Sequence, residues 1–318
     1  MARARVPPVL CMSRWLLLLL AFAMVGVVVA CSVLPHVMPR ASREAFEEGA
    51  DKDADKNKKD KDGGKKVLDT VQTGKYHVEV FDSGKVAGLG KCISIDGRTQ
   101  VCEADEHRYH EMLVHFAAAY MATPPVNVLI VGGGDNMALR EVLKYPSVKR
   151  VVVVDDEERL SSISEKHLMT NARRTDPRVK WVHGDVVREL NKLAESSGDA
   201  HLHQYDLALL DCKFRPGQTI ATTAVADNML ALLKSNGIVA LGGCNGGSFS
   251  PSPFPFKVPY SFHSDTHDTT IQMSLHASFD LHKSEKPERA PAANGEVSVS
   301  FYDHKNHIKY VPWFLRAK

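Results

Sequence analysis

The stretch Val126 to Asp135, VNVLIVGGGD, constrains the fold of this chain more than any other. An unbroken apolar run, Val128 to Val131, meets Gly132, Gly133 and Gly134 and then an acid. Ala138 to Lys144 follows in helix-forming residues. A short apolar run bounded by turn residues predicts a buried parallel strand, here followed by a tight turn and a helix. The glycines allow a sharp turn and a close approach to a ligand. The free N–H groups of a helix start favour a polar or anionic group there.

Beyond this stretch, apolar and helical segments alternate. Val151 to Val154, Val179 to Val182, Leu207 to Leu210 and Gly237 to Leu241 read as strands. Leu160 to Thr170, Val186 to Glu195 and Thr222 to Leu233 read as the helices between them. The alternation predicts a parallel, doubly wound sheet, in which ligands bind outside the carboxyl ends of the strands. Four of the predicted strands run into an acid, Asp135, Asp155, Asp185 and Asp211. One loop acid is ordinary, whereas four on a single edge predict a site. Asp155, with Asp156 as its rival, stands where a carboxylate accepts both ribose hydroxyls of a nucleoside. Asp185 stands where one accepts from an adenine amino group. Asp135 would attract an amine and repel a carboxylate. Asp211 could orient an amine and take its proton, which a charged amine must lose before it attacks. The glycines read GGGD rather than GxGxxG, which argues against a dinucleotide.

Upstream, Val67 to Glu103 alternates apolar and polar residues, with turn signals at Asp82-Ser83-Gly84 and Asp96-Gly97. This predicts a small antiparallel sheet of hairpins. Asp105 to Met121 reads as a helix with Met112, Leu113, Phe116 and Tyr120 on its apolar face. Met38 to Lys66 alternates Lys and Asp and reads as a solvated tether. Trp15 to Leu34 is 20 residues without a charge, about the length that spans a bilayer. A membrane anchor is the first expectation for it; a cleaved signal peptide and a lipoprotein signal ending at Cys31 are the alternatives. Arg3, Arg5 and Arg14 on one side and Arg40 and Arg43 on the other leave the orientation open.

A hydrophobic share of 44% supports a real core, and a net charge of +2 gives no reason to expect nucleic acid. The six cysteines show no zinc-ligand spacing. Cys92 and Cys102 flank a predicted hairpin and are read as two small strand residues. His263, His267, His276 and His282 are read as surface or packing residues, and no metal site is expected. Beyond Cys244 a final strand is placed at Val297 to Phe301.

Several segments together resemble the polyamine aminopropyltransferases, the spermidine synthase family. They are KYHVEVFDSGK, SIDGRTQVCEADE, DEHRYHEMLVH, VLIVGGGDNMALREVLKYPSVKRVVVVD, DPRVKWVHGD and YDLALLD, in order over about residues 67 to 245. The resemblance implies a Rossmann-like, S-adenosylmethionine-type α/β domain, residues 105–318, preceded by a small antiparallel β-hairpin domain, residues 67–104. Residues 1–37 would then be the anchor or signal segment and 38–66 the charged linker. It implies aminopropyl transfer from decarboxylated S-adenosylmethionine to an amine, with no metal and no prosthetic group. Relatives commonly form dimers or tetramers, so a homodimer is an expectation.

By position, Gln100 would contact the donor, Asp135 would hold its amine, Asp155 would bind the ribose and Asp185 the adenine. Asp211 would deprotonate the acceptor, and Tyr109 would line the amine channel. His77 stands where a donor-contacting Gln is common. Asn136-Met137 replaces two small residues. The gate D-S-S/T-D-P-x-G-P reads here as Asp211-Cys212-Lys213-Phe214-Arg215-Pro216-Gly217-Gln218, so its second acid is Phe214. Lys213 and Arg215 add positive charge where a polyamine would enter. Two other readings therefore stand beside the transferase. One is a non-catalytic relative that binds an adenosyl ligand or a partner, and the other is an S-adenosylmethionine-dependent methyltransferase.

Overall fold

The computed structural model describes residues 64–168, 175–195, 203–211, 221–243, 249, 251–264, 266–281 and 301–302. Four strands come first: β1 (Lys66–Gln72), β2 (His77–Asp82), β3 (Lys91–Ile95) and β4 (Arg98–Cys102). They pair antiparallel in sequence order, with one turn of helix, α1 (Gly84–Ala87), between β2 and β3. Their alternation buries Val78, Val80, Ile93, Ile95 and Val101 on one face.

A longer helix, α2 (Glu106–Ala118), leads into the second sheet. Its parallel strands are β5 (Asn127–Gly132), β6 (Arg150–Asp155), β7 (Val179–His183), β8 (Tyr205–Asp211) and β9 (Leu233–Leu241). The helices between them are α3 (Met137–Leu143), α4 (Glu158–His167), α5 (Val186–Glu195) and α6 (Thr223–Leu232). A hairpin of β10 (Phe256–Ser264) and β11 (Thr269–Ala277) completes the seven-stranded sheet, in the order β10-β11-β9-β8-β5-β6-β7.

The apolar run of β5 is unbroken because both faces of its sheet are covered. Val128 and Ile130 join a core with Phe116, Leu139 and Val142 from α2 and α3. Leu129 and Val131 join another with Leu190, Val225 and Met229 from α5 and α6. From β5 the chain winds outward through β6 to β7, then returns past β5 to β8 and β9. The reversal opens a crevice at the carboxyl ends of β5 and β8, where ligands of such sheets bind. The small sheet packs on the start of this layer through Met137, Leu160 and Ile163.

Several expectations are corrected. No helix among the described residues is long and apolar enough to cross a membrane, against the expected transmembrane segment or signal anchor. The residues on which that expectation rested, Trp15 to Leu34, lie outside the described ones, as do the tether up to residue 63 and the gate from Cys212 to Gln218. Cys92 and Cys102 are register partners on β3 and β4 and are joined by a disulfide, with Cα atoms 4.0 Å apart. Spacing along the sequence does not reveal that they face each other; the hairpin register does. The hairpin of β10 and β11 was not expected. Pro259 interrupts its strand signal, but β10 is an edge strand, where a residue without an N–H is tolerated.

Candidate functional site

At the crevice the loop after β5 turns back on itself. Gly132 and Gly133 have φ of 82° and 71°, in the left-handed region that glycine enters without strain. A Cβ at Gly134 would stand 2.9 Å from both carboxylate oxygens of Asp155, so this position admits only hydrogen. Asn136 takes a third left-handed conformation, φ 69°, a role that asparagine fills better than most residues. It is buried, and its Nδ2 donates to the Ser161 carbonyl at 3.0 Å. Met137 buries its side chain against the small sheet. The Asn136-Met137 pair thus fits a turn residue and a core residue.

A cleft of about 90 Å³ lies beside this loop. Gln100 and Val101 line it from β4, and Asp105, Glu106, Tyr109 and His110 from the start of α2. Gly133, Gly134, Asp135, Asp211 and Gly243 line it from the parallel sheet, and Ser264, Thr266 and His267 from the hairpin. The hairpin is tied to α2 through the buried Asp105 carboxylate. Asp105 accepts from the Ser264 hydroxyl at 2.8 Å, from the Thr266 N–H at 2.9 Å, and from the Thr266 hydroxyl. These partners lie about 160 residues apart in sequence, beyond the reach of local pattern reading.

Asp211 ends β8 beside Gly132, its register partner on β5. The Tyr109 hydroxyl donates to Asp211 Oδ1 at 3.0 Å. Burial pushes the Tyr109 phenol well above its ordinary pKa, and the Asp211 and Asp135 charges add to this, so it stays a donor. Asp135 accepts from the Met137 N–H through Oδ1 at 2.9 Å and places Oδ2 3.7 Å from His110 Nε2. Burial opposes a charge on His110, but Asp135, Glu106 and Asp211 outweigh it and hold the imidazole protonated well above its usual range.

His110 is held from behind. Its Nδ1 donates to the Glu106 carbonyl at 2.6 Å and stands 3.1 Å from the Glu106 carboxylate. Arg140 forks onto that carboxylate with two bonds of 2.8 Å, and its Nε donates to Glu141 at 2.7 Å. Burial would raise the Glu106 pKa, but His110 and Arg140 bring it below the usual carboxylate range. The sequence marks Asp105 and Glu106 only as acids at a helix start, and it gives His110 and Arg140 no role in a site. His110 sits within the apolar pattern of a helix, and only its neighbours in space distinguish it from a packing residue.

Of the residues expected to form a site, Gln100, Tyr109, Gly133, Gly134, Asp135 and Asp211 share the cleft, and Gly132 stands behind it. Asp155, Asp185 and His77 do not line it. Asp155 is buried beneath Gly134 and accepts from the Glu157 N–H at 2.8 Å. Asp156, its rival, accepts from the Tyr76 hydroxyl at 2.5 Å. Asp185 is exposed, and its Oδ1 accepts from the Arg188 N–H at 2.9 Å. His77 is exposed at the start of β2, with Nδ1 3.1 Å from the Gln72 side-chain oxygen. Although no metal site was expected, ligand-type atoms of His110, Asp135 and Asp211 lie within 4.8 Å of one another.

Comparison with known proteins gives a consistent result. Residues 106–245 match the profile of the spermine/spermidine synthase domain. The chain is 33% identical over 178 residues to a polyamine aminopropyltransferase of Thermoanaerobacter sp., covering 55% of this chain and 60% of that one. It is 37% identical over 137 residues to a polyamine aminopropyltransferase of Aeropyrum pernix, covering 42% and 43% respectively. The matches therefore span about half the length of these curated relatives. Among solved structures, a spermidine synthase in complex with the transition-state analogue AdoDATO aligns with a TM-score of 0.67 at 22% identity, over 79% of this chain and 87% of that one.

Proposed function

We propose that the chain, whose residues 106–245 match the spermine/spermidine synthase domain, is an aminopropyltransferase. Its donor would be decarboxylated S-adenosylmethionine and its acceptor an amine. The observation that carries this reading is the convergence of Asp135, Asp211, Tyr109 and His110 on one cleft at the crevice of a parallel sheet.

The reaction asks for a neutral amine beside an electrophilic carbon. The acceptor nitrogen attacks the aminopropyl carbon bonded to sulfonium, the carbon–sulfur bond breaks toward sulfur, and methylthioadenosine leaves. The proton shed by the nitrogen goes to Asp211. Tyr109, a donor to Asp211 Oδ1, fixes how that carboxylate faces the cleft. Asp135, on the glycine loop, stands to hold the donor's own amine, a group a carboxylate favours and the carboxyl group of the intact donor would not. Asp155 and Asp185, at the ends of β6 and after β7, are the residues proposed for ribose and adenine.

The test is Asp211→Asn, which keeps shape and removes the base. Transfer should fall by roughly 10²–10⁴-fold while donor binding, followed by calorimetry, stays near that of the parent. Unchanged turnover would remove Asp211 from the mechanism. A second reading, a non-catalytic relative, is favoured by Phe214 between Lys213 and Arg215 in place of the gate's acid. It predicts donor binding without transfer to any amine.

A further inference from the structure

The cleft brings together an imidazole nitrogen and two carboxylates from three different elements: His110 from α2, Asp135 from the glycine loop and Asp211 from β8. His110 Nε2 and Asp135 Oδ2 are 3.7 Å apart, and the three donor atoms lie within 4.8 Å of one another. Bonds of about 2.0–2.2 Å to zinc place tetrahedral donors about 3.4 Å apart, so one pair is already near this spacing and the others must close by at most about 1.4 Å. The ring has the support that a ligating histidine needs. Its far nitrogen, Nδ1, is tied to the Glu106 carbonyl and faces the Glu106 carboxylate, which Arg140 locks in turn.

We propose that His110, Asp135 and Asp211 bind a divalent transition-metal ion of the zinc and cobalt class. One nitrogen and two oxygens suit such an ion better than calcium or magnesium, which take six or more oxygens. The ion replaces the proton on Nε2, and its fourth position opens into the cleft. On the reading given above, this is also where the cationic amine groups gather, so ion and amine exclude each other.

Cobalt(II) chloride titrated into the full chain tests the proposal through its visible absorption. The expected result is an intense ligand-field spectrum that saturates and is weakened at least tenfold in affinity by His110→Ala and by Asp135→Asn. Glu106→Gln should weaken it by about tenfold, as loss of an outer partner does. Asp135 is partly exposed, so Asp135→Asn serves if His110→Ala fails to fold. A spectrum that stays that of the hydrated ion overturns the site, as does unchanged affinity in the folded variants. Adding 1,4-diaminobutane with decarboxylated S-adenosylmethionine should displace the cobalt. Cobalt that binds through these residues but resists displacement upholds the metal site and counts against the acceptor reading instead.

Discussion

His276 gives the chain a built-in acid sensitivity. The residue is fully buried on β11, between the rings of Phe249 and Phe254, whose centroids are 5.2 and 5.8 Å away. Its Nε2 pairs with the Ser274 hydroxyl at 2.8 Å, and its Nδ1 has no hydrogen-bond partner among the described residues. Burial, with the Lys257 charge adding to it, pulls the imidazole from its ordinary 6.5 down to about 4. The unfolded chain therefore binds a proton at a pH where the folded chain does not, and stability falls as pH drops through that window. Integrated over 2.5 pH units, the contribution is about 3 kcal/mol, complete below about pH 4. Between about pH 8 and pH 5 roughly 2 kcal/mol is lost. The assay is urea unfolding of the parent and of His276→Gln at both pH values. Gln keeps a hydrogen-bonding group for Ser274 and does not titrate, so the difference between the two pH responses isolates His276. Equal loss of stability in parent and variant would refute the reasoning.

Two further predictions rest on geometry alone. A Cβ at Gly242 would lie 2.1 Å from the Tyr109 hydroxyl, so Gly242→Ala should push the ring off Asp211. A misplacement of about 1 Å at such a site costs roughly 10²-fold, so the proposed aminopropyl transfer should fall by that order while the fold, followed by circular dichroism, is retained. The disulfide closes a loop with a sequence separation of 10, and removing it as Cys92→Ser with Cys102→Ser should cost about 3 kcal/mol in urea unfolding.

Much of the fold was legible because the sheet's burial is written in the sequence. Val128 to Val131 and Val151 to Val154 are unbroken apolar runs, which only a strand covered on both faces requires. The acids after them mark the edge where the crevice opens. What could not be read were contacts that depend on register or on distant partners. Cys92 meets Cys102 only once β3 and β4 are aligned. Asp105 reads as a helix start, and its bonds to Ser264 and Thr266 exist only because β10 returns beside α2. Asp135 and Asp211 share the cleft, whereas Asp155 lies beneath it and Asp185 outside it. Ending a strand at one edge does not decide where a side chain points.

The fork of Arg140 has a consequence for how this sequence can drift. One guanidinium serves Glu106 on α2 and Glu141 on its own helix, and Glu141 in turn meets His115 at 2.9 Å and Lys144 at 2.6 Å. Loss of the arginine would leave two carboxylates stripped of a shared cation, one of them almost wholly buried. Replacement of either acid alone would leave part of the fork without a counter-charge. Positions 106, 140 and 141 should therefore change as a set in descendants of this chain, and a sequence with only one of them altered should carry a compensating charge nearby.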